Sequence, residues 1–364
     1  MSFCIEWCSS LKTTSGDRPI DDIHLTPQWF ELLARTSLPD GTKVRVFPLG
    51  AADDVYAPCL PCKVVSEEPR TLHSLANFYT PLFGPLGVPE IDENKIAHFI
   101  TALTQENPPW IKMNLRPLDP DTPFFTGLLM GLQNAGWWAD QYFCFGNWYL
   151  KVNQQNFEDY FAERPSQLRN TIVRSRKRLQ KLPGYRLDIQ TQSDDKLESM
   201  IADFVMVYNH SWKRPEPFPD FIPELCRLAA REGWLRLGVM RLEEQPLAAQ
   251  LWLVTGGIAY IVKLAYHQDY ARLSAGSVLT TALMQQVIDE DKVHEVDYLI
   301  GDDPYKRDWM SDRRERYGII AFNPRTLEGL MSAIHHFGGR KLASYYHRLK
   351  SIAKVFMRRI LRDF

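Results

Sequence analysis

The run Asp297-Tyr-Leu-Ile-Gly301-Asp-Asp-Pro-Tyr305-Lys306-Arg-Asp-Trp309 places a lysine, a tyrosine and three acids directly after an apolar strand. In an α/β sheet an acid at the C-terminal end of a strand is placed to face a ligand, which makes Asp297 an acceptor-side candidate. Lys306 can neutralise an anionic group on the acceptor or steady a developing oxyanion, and Tyr305 can return a proton to a leaving group. Asp302 and Trp309 complete the acceptor side, the tryptophan chiefly by packing. The same residues also read as a salt-bridged loop, with Lys306 and Arg307 against Asp302, Asp303 and Asp308, and exposed pairs of that kind contribute little.

Upstream, Ile258-Ala-Tyr-Ile-Val-Lys-Leu-Ala-Tyr266 reads as a strand that runs through His267-Gln-Asp-Tyr-Ala-Arg272-Leu into Ser274-Ala275-Gly276-Ser277 and a helical pattern. Free backbone N–H groups at a helix start, approached through small residues, can hold a phosphate, and Arg272 adds charge. An ordinary Ser/Gly-capped helix fits the same residues. Lys263 faces either a cleft or solvent, since strand side chains alternate. His210-Ser-Trp212 ends a helix before a Pro-rich aromatic loop and suits an acceptor pocket wall. His210 can titrate near neutral pH, although a structural histidine fits as well.

These residues need a scaffold, and the chain supplies one. A strand at Ser2 to Cys8, a helix opened by Thr26-Pro27, and a hairpin of Thr42 to Leu49 with Asp54 to Val65 come first; the hairpin's prolines suggest an edge or a bulge. An aromatic Gly/Pro loop follows at Phe78. Helix, strand, helix and strand then span Asp92 to Gln105, Trp110 to Leu115, Pro123 to Ala135 and Trp138 to Val152. Helical periodicity from Asn156 to Leu182 is split by Pro165. Its outer face carries Arg169, Arg174, Arg176, Lys177, Arg178 and Lys181, a phosphate-attracting or simply solvated face. A strand at Tyr185 to Gln190, helices at Lys196 to Asn209 and Ile222 to Glu232, a three-strand meander from Trp234 to Tyr266, a helix at Ser277 to Asp289 and a strand at Glu295 to Ile300 complete the order.

From about Pro165 to Asn323 this order resembles a GNAT-superfamily acyltransferase. In particular it resembles bacterial acetyltransferases associated with cellulose and exopolysaccharide synthesis, which show Ser-Pro-Gly at a helix start and then Asp-x-x-x-Gly…Tyr-Lys…Trp. Here Ala275 replaces the proline. The resemblance implies two tandem GNAT-like α/β domains, each a mixed, mostly antiparallel sheet flanked by helices: 1–164 without a phosphate-binding loop, 165–325 binding acyl-coenzyme A, and a basic amphipathic helical tail over 326–364. It implies acetyl-coenzyme A or another acyl-coenzyme A as co-substrate, with no permanently bound cofactor and no metal. Val262 and Leu264 would line the pantetheine, and Arg272, Ser274, Ala275, Gly276 and Ser277 the pyrophosphate. Catalysis would rest on Lys306, Tyr305 and Asp297, and the small amine acceptor, a sugar or other metabolite, would meet His210, Trp212, Asp302 and Trp309.

Composition limits the alternatives. The chain has 364 residues, 45% hydrophobic and 24% charged, enough apolar surface for two cores. A net charge of −1 argues against a nucleic-acid protein. Six cysteines are too sparse for a disulfide framework and read as reduced thiols; Cys59-x-x-Cys62 with Cys4 and Cys8 makes a weak zinc pattern. No Ser-His-Asp order or His-x-x-x-His pair supports a hydrolase or metalloenzyme. With no signal-like start and no long apolar run, the chain reads as cytoplasmic. The segment 340–364, basic with apolar residues at helical spacing, can contact the inner membrane surface or a synthase complex, or pack on the protein itself. Two rival functions remain: a Fem-type aminoacyl-tRNA-dependent transferase, and a non-catalytic interaction subunit of an envelope-polysaccharide assembly.

Overall fold

Local signals set the helix starts. Thr26 Oγ1 accepts the Trp29 N–H at 3.2 Å with Pro27 at the first position of helix Pro27–Thr36. Asp92 Oδ1 takes the Lys95 N–H at 2.8 Å to open Glu93–Gln105, and Thr122 does the same for Pro123–Asn134. The computed structural model of the chain describes residues 22–49, 58–86 and 91–338. The strand expected at Ser2 to Cys8, the hairpin's return from Asp54 and the basic tail over 340–364 therefore fall wholly or partly outside the described residues.

The strands are β1 Lys43–Pro48, β2 Cys59–Val64, β3 Thr71–Ser74, β4 Lys112–Leu118, β5 Trp138–Lys151, β6 Tyr185–Gln190, β7 Leu235–Leu242, β8 Gln245–Thr255, β9 Ile258–Tyr266, β10 Glu295–Asp297 and β11 Asp312–Phe322. They form one sheet of 11 strands in the order β1-β2-β3-β4-β11-β5-β10-β9-β8-β7-β6. Among the strands of the described residues, only β3 with β4 and β9 with β10 run parallel. The fold is thus the mixed α/β class, with a large, mostly antiparallel sheet flanked by helices.

Three details depart from the sequence reading. The proline-bearing strand β2 is flanked on both sides, because β3 pairs only with Cys62 and Lys63, just beyond Pro61, so the missing N–H breaks no rung there. The last strand of the meander unit stops at Asp297 rather than Ile300, because Leu299 takes φ 54° and Gly301 φ 109°. Finally, β11, which no sequence signal isolated, lies between β4 and β5 and ties the end of the second half into the first.

Two cores lie on the sheet. One gathers Leu115, Phe125 and Leu128 of the first half with Phe204, Leu251 and Tyr260 of the second. The other packs helices Ser166–Leu179 and Ala275–Gln285 over Trp252, Ile261 and Val296. Between them, where β5 runs between β10 and β11, sits a buried polar knot. Asp297 accepts from Asn147 Nδ2 at 2.6 Å and from the Leu299 N–H at 2.6 Å, and its other oxygen pairs with Arg314. Arg314 also donates to Asn147 Oδ1 at 2.7 Å and Glu295 at 2.8 Å, and lies 4.4 Å over the Tyr149 ring. Burial works against the guanidinium's charge, but Asp297 and Glu295 outweigh it and raise its pKa.

Removing one partner of such a pair strands the other charge. Arg314→Met is expected to lower unfolding free energy by about 3 kcal/mol in urea titrations. A change below about 1 kcal/mol would mean the knot does not hold the junction.

Candidate active site

The site begins where two strands part. β10 runs beside β9 only from Ile258 to Tyr260, opposite Glu295 to Asp297. Beyond that point the Tyr298 N–H turns to the Trp148 carbonyl of β5 at 2.9 Å, while β9 continues to Tyr266 with β8 as its strand partner. An opening is left whose one wall is the backbone edge from Ile261 to Tyr266, the segment that carries Val262 and Leu264.

A bulge decides what points into that opening. Leu251 of β8 pairs with Lys263 but Trp252 pairs with Ile261, so Val262 is an extra residue in β9. Val262 consequently packs on the same face as Lys263, against the core that holds Tyr260, while Leu264 and Tyr266 pack on the opposite one. Lys263 Nζ meets Glu216 Oε1 at 2.5 Å and lies 5.0 Å over Tyr79, 5.3 Å over Tyr208 and 5.5 Å over Phe78. Glu216 also takes hydrogen bonds from the Tyr79 and Tyr208 hydroxyls. Burial opposes its charge, but the bonds from Lys263, Tyr208 and Tyr79 hold its carboxyl below the usual range.

Beside this cluster stands Lys213, with its ammonium 5.6 Å over Trp212 and 5.7 Å over Tyr208. It makes no ion pair among the described residues. Burial, followed by the charge of Lys263, pushes its pKa down to about 8; Lys306 acts in the same direction, and Glu216 and Asp303 against it. The fields of Lys306 and Asp303 reach it across the opening. Sequence reasoning took the neighbouring His210 and Trp212, left Lys263 open between a cleft and solvent, and passed over Lys213 and Glu216. The signal was Lys213-Arg-Pro-Glu216 in a loop beside a strand lysine; the bulge that turns Lys263 toward it is invisible in the sequence.

The opposite wall is the segment from Tyr298 to Trp309. Lys306 is buried, and its Nζ donates to the Tyr298 carbonyl at 3.1 Å and the Ile300 carbonyl at 2.6 Å, with Asp303 3.9 Å away. Burial lowers its pKa. Its ammonium braces the bend that ends β10. Asp297 is likewise enclosed in the knot with Arg314. Tyr305 is partly exposed, edge-on to Tyr298 at 5.8 Å, and burial with the nearby Asp303 pushes its hydroxyl up to about 12. Asp302 receives Trp148 Nε1 at 2.7 Å and Arg313 at 2.8 Å. Trp309 is buried, and its carbonyl accepts from Tyr160 at 2.8 Å and Arg164 at 3.2 Å.

At the far end of β9, helix Ala275–Gln285 starts two residues earlier than its sequence pattern suggests. Ser274 enters it at φ 53°, and no side chain caps its first turn. A Cβ on Gly276 would stand 3.3 Å from the Tyr266 ring, and the Gly276 carbonyl accepts from Gln250 at 2.9 Å, so the helix start is pressed onto the end of β9. Arg272 is exposed beside it. Trp212 stacks at 4.4 Å on Tyr266, and His210 at 4.9 Å on His267 with Nδ1 2.9 Å from the Met206 carbonyl. Thus Val262 and Leu264 lie along one wall of the opening, the Ser274–Ser277 turn and Trp212 stand at the far end of that wall, and the Tyr298–Trp309 segment with Tyr305 and Lys306 forms the opposite wall. Asp297 sits at the closed end. Among the described residues no group of three or more His, Cys, Asp or Glu is disposed to hold a metal; Cys4 and Cys8 lie outside them. No described helix is long and apolar enough to cross a membrane.

Residues 166–307 match the acetyltransferase (GNAT) domain family, and this stretch contains the bulged strand, the opening and the helix start. A comparison with curated proteins finds no match. Among solved structures the chain is similar to FemX, with a TM-score of 0.58 at 11% identity over 89% of this chain and 97% of that one. It is also similar to the C-terminal domain of a protein provisionally described as a lysylphosphatidylglycerol synthetase from Agrobacterium fabrum, at 0.56 and 13% over 91% and 96%. L-PGS from Bacillus licheniformis gives 0.51 and 12% over 87% and 98%. At these identities the likeness speaks to the fold. The stretch that matches the acetyltransferase (GNAT) family is set here in a sheet shared with the first half of the chain.

Lys306→Met removes the donor shared by two carbonyls, and hydrogen bonds to a charged group are worth about 1.5–3 kcal/mol each. We expect a stability loss of about 2 kcal/mol or more in chemical denaturation. Unchanged stability would show that the ammonium is not needed for the bend and is available to a substrate.

Proposed function

We propose that the protein is an acyl-coenzyme A-dependent N-acyltransferase acting on a small amine. The observation that carries this reading is the backbone edge of β9 from Ile261 to Tyr266, left by the departure of β10 and leading directly to an uncapped helix start. An extended pantetheine can add to that edge as a strand would, with Val262 and Leu264 as its backbone partners. The pyrophosphate then reaches the N–H groups from Ser274 to Ser277 and the Arg272 side chain. In this division of labour the segment 165–325 binds the donor, and the first half supplies Phe78 and Tyr79 to the acceptor side.

The chemistry follows from the charges that remain uncommitted. The acceptor nitrogen attacks the thioester carbonyl carbon, and its surplus proton passes to neutral Lys213. An N–H of the β9 edge steadies the oxyanion. As the tetrahedral species collapses, the C–S bond breaks and the thiolate takes a proton from Tyr305, whose raised pKa keeps it protonated at neutral pH. The products are an amide and coenzyme A; Lys213 loses its proton to solvent and Tyr305 regains one. Asp297 and Lys306 act by positioning the Tyr298–Tyr305 wall, Trp212 and His210 flank the acceptor entrance, and Asp302 and Trp309 stiffen the loop. The Tyr305-Lys306…Trp309 pattern supports a role in acetylation linked to polysaccharide synthesis in the bacterial cytoplasm.

A second reading keeps the acyl transfer and changes the donor. Helix Ser166–Leu179 lies against the 268–273 turn, and its Arg174, Arg176, Lys177 and Arg178 are exposed and without ion pairs among the described residues. That face would also suit the phosphates of an aminoacylated RNA.

Calorimetry with acetyl-coenzyme A and with RNA separates the two donors. Arg272→Ala is expected to weaken acetyl-coenzyme A binding about tenfold, the scale of one charge-assisted contact, with an unchanged melting temperature. Binding of RNA alone would transfer the reading to the second donor, and binding of neither would remove the transferase.

Lys213 accepts a proton only when neutral. Single-turnover acyl transfer should therefore rise as pH climbs through about 8 and fall about tenfold per unit below it. Lys213→Ala should lose at least about a hundredfold in rate, and Lys213→His should move the inflection toward about 6.5. A profile unchanged by both substitutions removes Lys213 from the mechanism.

A further inference from the structure

Beside Phe78, whose ring lies under Lys263, a cavity of about 350 Å³ opens in the first half and is met by Ile300 of the second. Lys63 of β2, Ser74 of β3 with Asn77 and Phe78 of the loop after it, Arg116 of β4, and Ile300 from the bend after β10 contribute to its lining. This is the size of a small-ligand pocket. Ile300 is the residue whose carbonyl holds Lys306, and Phe78 is the ring beneath Lys263, so the cavity adjoins the acceptor side of the opening.

The polar groups on its wall fall into two kinds. Ser74 exchanges hydrogen bonds with the Arg116 backbone at 2.5 and 3.2 Å, and Asn77 Nδ2 is taken by Ser37 at 3.0 Å. They are already spent on the protein. Lys63 gives one bond to the Ala76 carbonyl at 2.5 Å, which leaves two of its three donors over. The Arg116 guanidinium has neither a hydrogen bond nor an ion pair among the described residues. Burial and the Arg116 charge push Lys63 down to about 8, and no described acid counters them. Two cations directed at one cavity repel each other, and an anion between them relieves that cost.

We infer that this cavity is an oxyanion subsite that receives a carboxylate or phosphate carried by the amine acceptor. The acceptor is then an amino acid or an aminoalkyl phosphate rather than an amine without an acidic group. The assignment of the amine end rests on the acyltransferase reading; the anion subsite stands on the cavity itself.

The test is calorimetry on the full chain with inorganic phosphate, glycine, β-alanine, aminoethyl phosphate and, as the control without an oxyanion, ethylamine, with acetyl-coenzyme A titrated in parallel. Binding of the oxyanion-bearing probes but not ethylamine, weakened at least tenfold in Arg116→Gln and in Lys63→Met with acetyl-coenzyme A affinity unchanged, is the expected result. Arg116 is exposed, so its variant should keep the fold, as circular dichroism will verify, even if Lys63→Met does not. The ranking of carboxylates against phosphates identifies which oxyanion the subsite takes. Failure of every oxyanion probe to bind, or binding untouched in Arg116→Gln, overturns the inference while leaving acetyl-coenzyme A binding to speak for the transferase. If acetyl-coenzyme A does not bind but the oxyanions do, the transferase reading fails and the subsite stands.

Discussion

Arg314 cannot lie partly buried between β5, β10 and β11 unless its charge is matched there, and Asp297 and Glu295 match it. That requirement organises much of the molecule. Asp297 sits on the last residue of β10, so satisfying Arg314 and Asn147 fixes where β10 ends, and its bond to the Leu299 N–H turns the chain away from β9. Because β11 carries Arg314 into the first half of the sheet, the same contact joins the two halves.

The opening along β9 follows from that constraint. Were β10 to continue beside β9 past Tyr260, the edge from Ile261 onward would be paired and closed to a ligand. The bulge at Val262 adds a second consequence: it reverses the facing of the residues after it, bringing Lys263 to the Glu216 side. One extra residue in a strand thereby creates a charged, aromatic-walled cluster on a face that simple alternation would leave apolar.

The charges divide according to whether the protein already uses them. Asp297, Lys306, Asp302 and Glu216 each hold two or more protein partners, and their energy goes into fixing the walls. Lys213 has aromatic faces over its ammonium and no ion pair among the described residues, and Lys63 and Arg116 line one cavity. A partly buried cation without an ion pair, as at Lys213 and Lys63, is costly, and those two with the exposed Arg116, rather than the more motif-like residues, are where ligand chemistry remains open.

The sequence by itself determined the local structure. Thr26, Asp92 and Thr122 cap helices through contacts three residues apart; Pro165 divides two helices; Gly256 and Gly257, both with positive φ, turn β8 into β9. It also carried the order of elements from Pro165 to Asn323 and the small-residue turn at Ser274, because these depend on near neighbours and on side-chain period. What only the tertiary structure decided was every relation between distant segments: β11 between β4 and β5, the end of β10 at Asp297, the bulge that aims Lys263 at Glu216, and the meeting of Lys63 with Arg116. Their partners lie tens to hundreds of residues apart, and no local propensity specifies which buried charge finds which counter-charge.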